Sequence, residues 1–246
     1  SRIEPDEVNG RRISIFVPAA AKRSAKRTAN DAGPPVPPSA DSGERPEDGG
    51  DGWMRRGYSH VDDRGVTRHE EAVLQRHAVA YFTVCGRKIG LLGVHLKSNP
   101  SDAGSNAQRS AETAIAREIV RREIVTRGYA PIVLGDINDY DPDVPMADPN
   151  RRTRTTVLRD LKDYDAAAGD ELVNAARFIP RVADRYTSHW DFNENGTADR
   201  DDVFTMIDHV LVHRDLVPAI TRVHVCHAID LDISDHFPVC LLYTSD

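Results

Sequence analysis

Residues 131–141 read PIVLGDINDYD, a short apolar run that halts abruptly in acids and an amide. An aliphatic run of this length, bounded by polar residues, suits a strand buried on both faces. In α/β sheets, ligands gather at the carboxyl ends of such strands. Asp136 and Asn138 lie at that end, two apart, so on extended chain they point to the same side. One carboxylate can then orient a water while the amide donates to a developing oxyanion.

Upstream, residues 105–127 carry apolar side chains at Ala111, Ile115, Ile119, Val120 and Ile124 among Arg and Glu, with Gly128 placed to close the helix. Before that amphipathic helix, HAVAYFTV (77–84) and GRKIGLLGVHL (86–96) flank Cys85-Gly86-Arg87-Lys88 and predict a hairpin. Downstream the pattern predicts short helices over 156–163 and 170–178, then strands over 185–188, 204–213, 220–227 and 236–243. Another strand is expected over 12–17. Strands at both ends with one long helix between them argue for two packed sheets with helices outside, not an alternating βαβ array.

The chain has 246 residues, enough for one domain over 1–246 with a sizeable core. Residues 19–67 are small, charged and Pro/Gly-rich and cannot bury enough to offset their ordering entropy, so a polar, disordered loop or insertion is expected. Within it, 20–27 has helical character and 34–38 suits polyproline II, while Lys22, Arg23, Lys26 and Arg27 read as a solvated basic face. No apolar run approaches the ~20 residues of a membrane-spanning helix. The net charge of -7 argues against a broad basic face for nucleic acid but leaves room for a local positive groove. Cys85, Cys226 and Cys240 form no CxxC pair and read as buried thiols, with a Cys226–Cys240 disulfide open if their strands are neighbours.

Other polar clusters interrupt apolar strands: His95 in GVHLKSN, Asp208 in MIDHVLV, and Asp235-His236 in ISDHFPV. A buried carboxylate must be paired, hydrogen-bonded or bound to a cation, so several that converge suggest a hard metal such as Mg2+. Histidines beside them exchange protons near neutral pH, and the combination suits hydrolysis of a phosphate ester. Lys97 and Ser98 read equally as phosphate contacts or as a solvated loop, Arg76 more readily as solvated, and the isolated His69, His77, His224 and His227 as structural or exposed.

In order and spacing, HLKS (95–98), GDIND (135–139), IDHVLV (207–212) and SDHFPV (234–239) resemble the endonuclease/exonuclease/phosphatase superfamily across about residues 75–243. The resemblance implies a deoxyribonuclease I-like α/β (α+β) fold: a four-layered sandwich of two packed β-sheets flanked by helices. It also implies hydrolysis of phosphate esters dependent on Mg2+ or Mn2+, most readily by a secreted bacterial nuclease-like phosphodiesterase that acts as a monomer on nucleic acid or another phosphodiester. A phosphomonoesterase or lipid phosphodiesterase remains an alternative.

Carried over by position, Asp136 orients or deprotonates the attacking water and Asn138 holds the scissile phosphate. His236 is the catalytic imidazole, oriented by Asp208. Asp235 is a metal ligand or lies beside one, and His95 attends the phosphate or leaving group. The family also draws metal ligands from an Asn and a Glu on its first two strands. The chain offers no counterpart: Glu4 and Glu7 lie in SRIEPDEVNG, which reads as a loop, and Ser1-Arg2 resembles the end of a later family strand. An N-terminally incomplete enzyme is therefore expected.

A second pattern lies in DFNENGTADRDD (191–202). Asp191, Asn193, Asn195, Thr197, Asp199 and Asp202 occupy positions 1, 3, 5, 7, 9 and 12 of a calcium loop, and Gly196 occupies the turn at position 6. The last residue is Asp where an EF-hand has Glu, as in dockerin-type loops, and no amphipathic helix precedes it. A structural Ca2+ and an extracytoplasmic setting follow as expectations. A catalytically inactive, calcium-stabilised binding module is the reading from a different class.

Overall fold

The computed structural model describes residues 3–7, 13–16, 51–84, 86–99, 101–148, 153–169, 171–228 and 234–244. The chain opens with strands β1 (Ile3–Glu7) and β2 (Ile13–Phe16), then the hairpin β3 (Arg55–Val61) and β4 (Thr67–Val73). A second hairpin, β5 (His77–Val84) and β6 (Arg87–His95), leads into helix α1 (Ala103–Ile119), strand β7 (Ala130–Asp136) and helix α2 (Val157–Lys162). The remainder is β8 (Leu172–Asn174), β9 (Ser188–Trp190), β10 (Val203–Thr205), β11 (Asp208–His213), β12 (Ile220–Val225) and β13 (Val239–Tyr243).

A six-stranded sheet runs β1-β5-β6-β7-β11-β8 and a three-stranded sheet runs β12-β13-β2; β3–β4 and β9–β10 pair separately. Alternation along the strands decides which side chain meets which layer. Ile89, Ile132, Val210 and Val212 face inward against Val223, Val225, Val239 and Leu241 of the smaller sheet, which fixes the inter-sheet core. Leu92, Val94, Val133 and Leu211 point the other way, onto Ile115, Ala116 and Ile119 of α1 and Val157, Leu158 and Leu161 of α2. Full burial of each Leu or Ile stabilises the fold by ~1.5–3 kcal/mol.

Asp102 caps α1, its carboxylate accepting the Ser105 N–H at 2.6 Å. Past Ile119 the helix widens into a π turn, Val120–Ile124, tightens over Val125–Arg127, and ends at Gly128 with φ +74°. The π turn drives Ile124 onto β6 at Gly90, where a Cβ would stand 2.4 Å from the Ile124 Cγ2.

Several expectations need correction. Ile3–Glu7, read as loop, is a strand pairing parallel with β5; a polar sequence is tolerated there because β1 is the sheet's edge. The polar stretch expected over 19–67 is ordered from residue 51 onward as a short 3-10 turn and the β3–β4 hairpin, which packs on α1. The readings at 20–27 and 34–38 lie outside the described residues. In place of a helix over 170–178, β8 pairs with β11 and only Ala175–Phe178 turns helically. The strand expected over 204–213 breaks at Met206–Ile207 into β10 and β11, and that expected over 185–188 is β9. The final strand begins at Val239, and β12 ends at Val225.

Cys226 and Cys240 are free thiols. Their strands are neighbours, but Cys240 opposes His224, which leaves the two cysteines diagonal. Diagonal Cα atoms stand ~7–8 Å apart, beyond the reach of a disulfide. Both α-helices cover the large sheet, so a helical layer outside the three-stranded sheet is not among the described residues. No helix among them is long and apolar enough to cross a membrane.

Candidate active site

Strand register builds the site. β6 pairs parallel with β7 so that His95 stands opposite Asp136, and β11 pairs antiparallel so that Asp208 stands opposite the same Asp136. Three adjacent strands therefore carry His95, Asp136 and Asp208 in one row on the inter-sheet face. His95 Nε2 lies 3.5 Å from Asp136 Oδ2. His236 reaches the row from the segment before β13, through a bridge to Ser188, and its Nδ1–H donates to Asp208 Oδ2 at 2.8 Å. The carboxylates of Asp136 and Asp208 and the His236 ring offer donor atoms all within 4.8 Å of one another.

Asn138 arrives by another route than the one its spacing suggests. β7 ends at Asp136, and Asn138 turns into the left-handed region with φ +58°, which Asn tolerates better than most residues. Its backbone N–H donates to Asp136 Oδ1 at 3.1 Å and its Nδ2 to the Leu96 carbonyl at 3.0 Å. The amide stays beside the row, tied to both the β6 and β7 ends.

The electrostatics follow from this crowding. Burial, and then the Asp208 charge, push the Asp136 carboxyl up to about 7. Burial opposes protonation of His236, but its hydrogen bond to Asp208 and the surrounding carboxylates outweigh this and raise it to about 9. His95 moves the other way: burial and the charge of Arg76 lower it. Arg76 Nη1 stands 3.3 Å from His95 Nε2.

A buried polar network behind the row was not foreseen from the sequence. Asp139 accepts the N–H groups of Tyr140, Arg154 and Thr155 at 2.8–3.0 Å, while its carbonyl accepts the His209 Nε2–H at 2.9 Å. Asn174 Nδ2 donates to His209 Nδ1 and to Asp141 Oδ2, and Lys162 Nζ donates to Asp141 Oδ1 at 2.7 Å. Burial raises the Asp141 carboxyl, yet Lys162 and Asn174 prevail and hold it below the usual carboxylate range. The signal was present as extra acids in GDINDYD and a histidine in IDHVLV, without local periodicity to say where they point.

Asp235 is not part of the donor cluster; its backbone carbonyl accepts the His189 N–H at 2.8 Å. Nor do the acids of the 191–202 loop converge as an ion-binding group among the described residues. Asp191 accepts the N–H groups of Asn195 and Gly196, and Asp199 is held by the amides of Asn193 and Asn195. Asp202, at the twelfth position, turns inward to accept the His189 Nε2–H at 2.6 Å, and also accepts the backbone N–H of Asp199. Its oxygens are thus engaged by His189 and by the backbone N–H groups of Phe192 and Asp199.

The chemistry of the donor set at Asp136, Asp208 and His236 fits a divalent cation. The two carboxylates suit Mg2+ or Mn2+, with His236 paired to Asp208 beside them, and the raised Asp136 carboxyl marks a like-charge pair that a cation would relieve.

No protein-family model matches the chain, and no curated protein matches it. Among solved structures, a 3'-5' exonuclease (NExo) from Neisseria meningitidis is similar with a TM-score of 0.53 at 24% identity, over 69% of this chain and 65% of that one. The 3' phosphatase NExo from Neisseria bound to product DNA hairpin matches over the same shares with a TM-score of 0.50 at 22% identity. An AP endonuclease from Archaeoglobus fulgidus is also similar, with a TM-score of 0.49 at 13% identity over 76% of this chain and 77% of that one. The chain thus spans 65% of the length of the two Neisseria structures. It has the deoxyribonuclease I-like α/β fold found in the endonuclease/exonuclease/phosphatase superfamily.

Proposed function

We propose that the chain is a phosphoester hydrolase, a nuclease-like phosphodiesterase that uses Mg2+ or Mn2+ and acts on nucleic acid. The observation that carries this reading is the strand-register row His95–Asp136–Asp208 with His236 docked on Asp208. The fold shared with an exonuclease and with a phosphatase bound to DNA supports it.

Burial and the Asp208 charge push the Asp136 carboxyl up to about 7 without a cation; beside one it is anionic and placed to orient the attacking water. His236, raised to about 9 and held by Asp208, is cationic there and faces charge that develops on the phosphoryl group or the leaving oxygen. His95 stays neutral and accepts a hydrogen bond from Arg76, so it orients a phosphate oxygen and contributes no charge. Asn138 contributes its second amide N–H. Asp136 and Asp208 would hold the divalent ion, which when bound supplies charge neutralisation at a phosphate oxygen, while His236 stays paired with Asp208 beside it.

The test is hydrolysis of bis-p-nitrophenyl phosphate and of DNA by the unmodified chain and by Asp136→Ala. Metal-dependent turnover that falls at least about a hundredfold in the variant is expected. Absence of turnover, or a variant as active as its parent, would overturn the reading.

A further inference from the structure

Beside His95, away from Asp208 and His236, a cleft of about 320 Å³ opens between the end of β4, the end of β6 and α1. That volume is within the range of small-ligand sites. Gln75, Arg76, His95, Lys97, Ser98 and Gln108 present charge, amide and hydroxyl groups to it. Among the described residues no carboxylate forms an ion pair with Arg76 or Lys97, although the chain as a whole carries a net charge of -7.

The acids on its wall are already engaged. Glu71 pairs with Arg55 at 2.6 Å. Glu112 accepts the Lys97 backbone N–H at 2.7 Å and the Gln108 amide at 2.9 Å, and burial raises its carboxyl. The peptide of Lys97 is gripped on its other side as well, because Arg109 Nη1 donates to the Lys97 carbonyl at 2.6 Å. Arg109 is fully buried and Glu112 is 6% exposed, so two desolvated charges from α1 are spent on fixing the backbone of one exposed lysine. Burying charge is costly unless it is hydrogen-bonded, and here the bonds that satisfy Arg109 and Glu112 also hold the Lys97 peptide in place.

We propose that this cleft is the subsite for the phosphate adjacent to the scissile one along a nucleic-acid strand, with Lys97 as the residue that binds it. The inference rests on the phosphodiesterase reading above and deepens it. A diester seated at the His95–Asp136–Asp208 row leads directly past His95 into the cleft. The next phosphate there meets the ammonium of Lys97, while Gln75, Gln108 and Ser98 suit the sugar and base between. An acyl chain would desolvate these groups without returning hydrogen bonds.

The experiment uses thymidine trinucleotides in which one diester is natural and the other is a neutral methylphosphonate, so that only one bond is cleavable and its neighbour is uncharged. Placing the neutral group on one particular side should lower kcat/KM about tenfold for the unmodified chain and have little further effect on Lys97→Gln. The salt dependence of binding should also fall in Lys97→Gln by roughly one released counterion. Equal losses in parent and variant on both sides would overturn the subsite. If no trinucleotide is cleaved, the reaction reading fails. The subsite is then judged by affinity for the all-diester trinucleotide: weaker binding to Lys97→Gln supports it, and unchanged binding sinks it.

Discussion

Thr187 Oγ1 accepts the backbone N–H of Asp208 at 3.0 Å and that of Ile207 at 3.1 Å, bridging the break between β10 and β11. The carbonyl of the same residue accepts the Phe237 N–H at 2.7 Å, one residue past His236. Thr187, 1% exposed, thus ties together both segments that carry the Asp208–His236 pair. Thr187→Val keeps the shape and strands the buried Asp208 N–H and the half-buried Ile207 N–H, at a cost of about 2–4 kcal/mol in urea unfolding. Thr187→Ser keeps the oxygen and loses about 1 kcal/mol. If the tie positions the pair, kcat falls in the Val variant with KM little changed and recovers in the Ser variant. A Val variant that turns over like its parent would leave Thr187 a structural residue only.

The row itself was partly legible. Apolar strands that end in VH and GD, and one that opens after MI at Asp208, mark where polar chemistry meets a sheet, and their order along the chain suggested the fold. Pairing could not be read, because the sequence of β6, β7 and β11 does not say which residue faces which. The one-residue precision that aligns His95 and Asp208 on Asp136 is a property of the ladder. Thr187 and Arg109 were illegible for another reason: a buried polar side chain that serves distant backbone leaves no periodic trace. In the 191–202 loop, Asx-rich spacing that suits an ion equally suits a loop held by its own N–H groups, and Asp202 is also engaged by His189.

Gly135 has φ +132°, and a Cβ there would stand 1.9 Å from the Val94 carbonyl. The residue lies in β7 directly opposite Val94, one position before Asp136. Gly135→Ala must push β6 and β7 apart, and a loss of about 3 kcal/mol or more is expected in chemical denaturation. Gly86 is the control: φ is +76° but nothing lies within 4 Å, so Gly86→Ala should cost only ~1–2 kcal/mol. Equal losses at the two positions would show that backbone conformation, not the close approach, governs Gly135.

Asp136 and His236 make stability depend on pH in one direction. A group whose folded pKa lies above its unfolded value contributes most below the unfolded pKa, and the contribution disappears as pH rises through the folded one. For Asp136, raised to about 7, the window opens near the ordinary carboxylate value of ~4; for His236, raised to about 9, it opens near ~6.5. Without divalent metal, the Tm of the chain should therefore fall between about pH 5 and pH 9. Asp136→Asn should flatten that fall, because it removes the first group and one of the charges that raise the second. At about pH 8, Mg2+ or Mn2+ should raise the Tm of the unmodified chain by binding the folded state. The same addition should leave Asp136→Asn nearly unchanged. A calcium-induced rise that survives Asp136→Asn would place that ion elsewhere, with the 191–202 loop the first place to look. A magnesium-induced rise that survives the substitution would remove Asp136 from the metal site.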